Sequence, residues 1–136
     1  MSDGKLVGIV LVSHSAQVAA SVAELAKALS GGGAEVPVAA AGGTADGGFG
    51  TSYERVSAAA ASVDRGAGVA VLADLGSAVL TVKALLAEGD ELPQDTRLLD
   101  APFVEGAVAA VVTAATGAGI AAVEAAAAEA YSYRKV

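Results

Sequence analysis

One histidine occurs in the 136 residues, His14, and it stands between two serines at the end of Leu6–Ser15, LVGIVLVSHS. The apolar run stops abruptly at Ser13-His14-Ser15, and helical spacing begins at once. An imidazole at a helix start faces backbone N–H groups and a dipole that attract negative charge and favour the neutral ring. A neutral imidazole with an aspartate on one nitrogen has a set tautomer and orientation, which leaves the other nitrogen nucleophilic. A suitable aspartate is Asp74, which closes another apolar run in Asp74-Leu75-Gly76-Ser77. Such a pair suits attack on phosphorus and retention of the phosphoryl group. The donors expected to hold its oxygens are the backbone N–H groups of residues 14–17 and of Leu75, Gly76 and Ser77, with the hydroxyls of Ser13, Ser15 and Ser77. Other readings of the same residues stay open. His14 can be a polar strand end, Asp74 the N-cap of the helix that follows it, and Ser15 a helix cap. A hydrolase using Ser13 or Ser15 would want a G-x-S-x-G elbow, and none surrounds them.

Positioning these residues requires a scaffold, and the apolar periodicity supplies one. Leu6–Val12 is continuously apolar, the pattern of a strand covered on both faces. Val18, Val22, Leu25 and Leu29 then recur at helical spacing and are expected to face the core, with Gly31-Gly32-Gly33 stopping the helix. Glu35–Ala41 reads as a second strand, placed at a sheet edge by Pro37, which cannot donate to a ladder. Gly42–Gly50, GGTADGGFG, reads as a mobile rim and lacks the G-K-[ST] of a phosphate-binding P-loop. Thr51-Ser52-Tyr53-Glu54 has the form of a capping box, opening a helix with Val56, Ala59, Ala60 and Val63 inward. Gly68–Ala73 is a third apolar strand, followed by a helix to Glu88 with Gly89 as its stop. Thr96–Asp100 is a short fourth strand. Two last helices follow, one ending near Gly117 and one over Gly119–Tyr133 with Ile120, Val123, Ala127 and Ala130 inward.

The alternation predicts an α/β fold: one domain, residues 1–136, with a doubly wound sheet of four parallel strands in the order 2-1-3-4 and helices on both faces. The winding reverses between strands 1 and 3. Sites in open sheets of this kind lie at that reversal, beyond the carboxyl ends of the strands. His14 and Asp74, 60 residues apart, should therefore meet there.

Composition narrows the function classes. There is no cysteine and only one histidine, so disulfides and the usual zinc sites are excluded, and no metal is expected. The net charge of −7 argues against nucleic acid and suits a partner with a basic face, or solubility alone. No apolar stretch reads as a membrane span: Leu6–Val12 is too short, and Gly106–Val123 is Ala-rich and broken at Thr116-Gly117. A cytoplasmic protein is expected.

Four segments, IVLVSHS, FGTS, LADLGSA and APFVEG, in this order and at this spacing, resemble one family across nearly the whole chain. It is the phosphotransfer subunit of the bacterial phosphoenolpyruvate-dependent dihydroxyacetone kinase, a mannose-type IIA domain of the phosphotransferase system. The resemblance implies that His14 is phosphorylated, taking phosphoryl from the phosphocarrier HPr and passing it to ADP on the kinase's nucleotide-binding subunit. It implies that Asp74 orients the histidine ring and that Gly76 and Ser77 bind phosphoryl oxygens. It also implies a homodimer that needs no cofactor of its own. Some members carry additional domains resembling HPr and enzyme I; here separate carriers are expected, and no exchanged C-terminal strand. A IIA component of a mannose-type sugar transporter has a related loop, D-x-x-G-G-S, which differs from Asp74–Ser77. A non-catalytic module binding an anion in the same crevice is the reading from a different class.

Overall fold

In the computed structural model, residues 5–31 and 35–136 are described. The chain runs β1 (Gly8–Ser13), α1 (Ala16–Leu29), β2 (Val38–Gly42), α2 (Tyr53–Val63), β3 (Val69–Ala73), α3 (Gly76–Glu88), β4 (Thr96–Leu98), α4 (Phe103–Ala115) and α5 (Ile120–Glu129), with a 3-10 turn over Ala130–Ser132. The sheet is parallel throughout, in the order β2-β1-β3-β4. This is the expected doubly wound arrangement, with the reversal between β1 and β3.

Alternation along the central strands divides the core in two. Ile9 and Leu11 of β1 and Ala70 and Leu72 of β3 point to the layer built with α1, α4 and α5. Val10, Val12, Val69 and Val71 point to the layer built with α2 and α3. Burial on both faces is why these strands read as unbroken apolar runs. Pro37 precedes β2 at the sheet edge and contributes only its carbonyl, which accepts from the Ile9 N–H at 2.9 Å.

The inner faces of α2 and α5 are those expected from sequence. That of α1 is not. Its buried residues are Ala19, Val22, Ala23 and Ala26, whereas Val18, Leu25 and Leu29 are 44%, 42% and 57% exposed. The alanines let α1 lie close to its neighbours, and the larger side chains are left on the outer flank. The capping box is also displaced by one residue. Ser52 is the N-cap of α2, accepting from the Arg55 N–H, and Thr51 instead bridges to Gly43. Gly32 and Gly33, expected to end α1, lie outside the described residues. The expected break after α4 is present, with Gly117 in the left-handed region at φ 86°. Among the described residues, no helix is long and apolar enough to cross a membrane.

Candidate functional site

The loops after β1 and β3 meet because their strands are adjacent and in register, Val12 opposite Ala73. The Asp74 N–H donates to the Val12 carbonyl at 3.1 Å, so pairing carries on into the loop. His14 and Asp74 then face each other, with side chains 23% and 16% exposed. His14 Nδ1 lies 3.2 Å from Asp74 Oδ1. On the opposite edge of the ring, Nε2 is in contact with the Ser77 hydroxyl. The carboxylate cannot donate, so the geometry places a hydrogen on Nδ1, and in the neutral ring the lone pair then lies on Nε2.

Asp74 is held from four directions. Oδ1 also accepts from the Leu75 N–H at 2.7 Å. Oδ2 accepts from the Ser13 hydroxyl at 2.7 Å and from the His14 N–H at 3.3 Å. Burial alone would push this carboxyl up; the bonds from Ser13, the His14 ring, Leu75 and the His14 backbone outweigh it and hold it below the ordinary carboxylate value. The group is thus a fixed anion behind the imidazole.

The sequence-expected residues divide by what their polar atoms contact. Ser77 alone places a side-chain hydroxyl at Nε2. Ser15 is the N-cap of α1, accepting from the Val18 N–H at 3.2 Å. Ser13 was expected among the phosphoryl ligands, but it is 1% exposed and its hydroxyl is taken up by Asp74 and by the Ser15 N–H. The Leu75 N–H, also expected to hold phosphoryl oxygens, is spent on Asp74. Asp74 is not the cap of α3: that position is Leu75, and no side chain caps the helix. The N-terminus of α3 therefore opens beside Nε2, and a side chain added at Gly76 would meet nothing within 4 Å.

Two features escaped sequence reasoning. The glycine-rich segment 42–50 is tied to the histidine loop, since the Gly50 N–H donates to the His14 carbonyl at 2.9 Å. Gly42 is pressed against the same loop, where a Cβ would stand 2.5 Å from the Ser15 carbonyl oxygen. The only sequence signal was the FGTS segment, whose glycine makes the bond to His14. The second feature is a cavity of about 400 Å³ beside Asp74, with Lys83, Asp100 and Tyr131 in its walls. The Tyr131 hydroxyl donates to Asp100 at 2.9 Å there.

Residues 8–124 match the family model EIIA-man, described as the PTS system fructose IIA component. The chain belongs to this family of phosphotransferase-system IIA components. Among its members with curated names, it is similar to phosphoryl donor subunits of the PEP-dependent dihydroxyacetone kinase, DhaM. It is 34% identical over 108 residues to that of dihydroxyacetone kinase 2 from Listeria innocua, covering 79% of this chain and 85% of the relative. It is 38% identical over 117 residues to the DhaM of Klebsiella michiganensis, covering 85% of this chain. There it spans only 25% of the relative's length. In three dimensions it is similar to the crystal structure of unknown function protein EF1359, with TM-score 0.78, 29% identity and coverage of 91% and 94% of the two chains. A sigma-54 interaction domain protein from Enterococcus faecalis shares the fold, with TM-score 0.63 and 17% identity over 89% of this chain and 87% of that one.

Proposed function

We propose that the protein is a phosphohistidine carrier, the phosphoryl donor subunit of a dihydroxyacetone kinase, with His14 Nε2 as the atom that carries the group. The observation that supports this most is the clamp on the ring. Asp74 occupies Nδ1, and Nε2 meets the hydroxyl of Ser77 in the first turn of α3, a helix start that no side chain caps.

In the proposed step the Nε2 lone pair forms a bond to phosphorus while the bond from phosphorus to the donor's nitrogen breaks and its electron pair leaves with the donor. The donor is the phosphorylated carrier HPr. The ring becomes a phosphorylated imidazolium, and the Asp74 carboxylate opposite Nδ1–H balances its charge. Ser77, its acceptor lost, turns its hydroxyl to a phosphoryl oxygen, and the N–H groups at the start of α3 bind the others. In the second step an oxygen of ADP on the nucleotide-binding subunit attacks phosphorus, and the P–N bond breaks to restore neutral His14. The group transferred is already activated, so positioning and charge stabilisation suffice. Ser15 acts by fixing the start of α1, and this chain brings no cofactor of its own to either step. We further infer a homodimer, as the family resemblance implies, that works in the cytoplasm.

The test is to incubate the protein with enzyme I, HPr and phosphoenolpyruvate and look for an acid-labile, base-stable phosphoryl group. It should form on the wild type, be absent from His14→Ala, and move to ADP when the nucleotide-binding subunit is added. Labelling that survives His14→Ala would remove the central claim. A charged protein that discharges to a sugar transporter's next component, and not to ADP, would favour the transporter reading.

A further inference from the structure

We propose that Ser13 is a positioning residue whose buried hydroxyl locks the Asp74 carboxylate and thereby sets the tautomer of His14. The proposal rests on the reading above only for its consequence in transfer. Its structural part concerns the unmodified protein.

Ser13 ends β1, opposite Gly42 in the register with β2. It is the one polar residue among the buried, described residues, 1% exposed. Its hydroxyl donates to Asp74 Oδ2 at 2.7 Å and accepts from the Ser15 N–H at 3.1 Å. Neither direction can be reversed. The carboxylate has no hydrogen to give, and a backbone N–H accepts nothing. The single hydroxyl hydrogen is therefore committed, and the group cannot also serve a phosphoryl oxygen while this network stands.

The network joins three separate elements: the end of β1, the start of α1 and the end of β3. Asp74 can turn about its own side-chain bonds, and the hold on Oδ2 determines where Oδ1 points. The other bond at Oδ2, from the His14 N–H, is longer at 3.3 Å, so the serine is the closer of its two donors. Without Ser13 only the longer bond from the His14 N–H holds Oδ2, and the carboxylate can turn with the Leu75 N–H, which lies adjacent in sequence and moves with it. The bond to Nδ1 then loosens, and the ring can place its hydrogen on Nε2 and so occupy the nucleophilic atom. Alanine removes the hydroxyl with little change of volume, whereas the loss at Asp74 and at the Ser15 N–H is specific.

The experiment reads the ring directly. Histidine labelled with nitrogen-15 is introduced, and the two ring nitrogens are followed by two-bond proton–nitrogen correlation at a pH where the ring is neutral. Wild-type protein should show the Nδ1–H form predominating. Ser13→Ala should show a shift toward Nε2–H, with charging by phosphorylated HPr slowed about tenfold, as for loss of a group that orients a histidine ligand. A folded Ser13→Ala protein with the wild-type tautomer ratio would overturn the proposal, whatever its transfer rate. If that variant does not fold, the wild type decides. In an equal mixture of light and heavy water, a locked hydroxyl exchanges slowly and splits the Ser13 Cβ carbon signal in two, whereas a single averaged signal would overturn the lock. If His14 is never phosphorylated, the carrier reading fails while the tautomer result stands, so the two failures are distinguishable.

Discussion

Replacing Asp74 by asparagine tests the site with the smallest change of shape. The carboxylate accepts four hydrogen bonds, two on each oxygen: His14 Nδ1 and the Leu75 N–H on Oδ1, Ser13 and the His14 N–H on Oδ2. An amide offers one oxygen and one N–H₂, so whichever way it turns, two of the four donors face another donor. Hydrogen bonds to a charged group contribute about 1.5–3 kcal/mol each when buried, and this one is partly exposed, so a loss of about 2 kcal/mol in stability is expected. The effect on transfer is separate. With the amide oxygen at Nδ1 the ring keeps its tautomer but loses a full anion behind the developing imidazolium. With N–H₂ at Nδ1 the ring must carry its hydrogen on Nε2. Either outcome should slow charging by about 10- to 100-fold, or about 1.4–2.7 kcal/mol in the barrier. Urea unfolding gives the first quantity, and a single-turnover transfer from phosphorylated HPr, with both proteins fully folded, gives the second. An Asp74→Asn protein that loses stability as calculated yet is charged at the wild-type rate would refute the role assigned to the carboxylate.

Acid should expose the same group. Because its value in the folded chain is held below the ordinary one, Asp74 contributes stability that is fully present above the unfolded value and is lost as pH falls through the folded one. The wild type should therefore lose stability more steeply than Asp74→Asn below about pH 4, measured by urea midpoints across pH. Ser77→Ala should leave stability within about 0.5 kcal/mol of wild type, as for an exposed site. It should shorten the life of the phosphorylated form, followed by loss of label. Gly76→Ala should likewise fold well, since its Cβ meets nothing within 4 Å, but should slow charging if phosphoryl oxygens use that space. Gly42→Ala should cost about 2 kcal/mol or more in denaturant unfolding, because backbone on the histidine loop would have to move. On α1, Leu29→Gln should change stability by less than about 0.5 kcal/mol, whereas Ala26→Leu should cost about 1–3 kcal/mol by overpacking. The reverse order would contradict the observed helix face.

Much of this protein was legible in its sequence. Strands buried on both faces announce themselves as unbroken apolar runs, and Pro37 marked the edge, so strand order followed from the rules of winding. That order alone brought His14 to Asp74, because a parallel sheet presents all its carboxyl ends on one side. The spacing of residues along the chain carries that kind of information. What it does not carry is which atoms are consumed locally. Ser13, Ser15 and Ser77 are the same residue type near the same loops, yet one is buried under Asp74, one caps α1 and one meets Nε2. Their roles differ by the direction of a single Cβ bond, which only the packed loops determine. The face of α1 was misread for a related reason: periodicity locates a stripe of large residues, but close helix packing selects small ones, and alanine gives no signal against a background this rich in it. The bond from the Gly50 N–H to the His14 carbonyl was equally invisible, since a backbone contact leaves no side-chain pattern. Sequence determined that a histidine and an aspartate share a crevice. Tertiary structure decided which nitrogen is free, because only there do the competing donors around the carboxylate come within hydrogen-bonding distance.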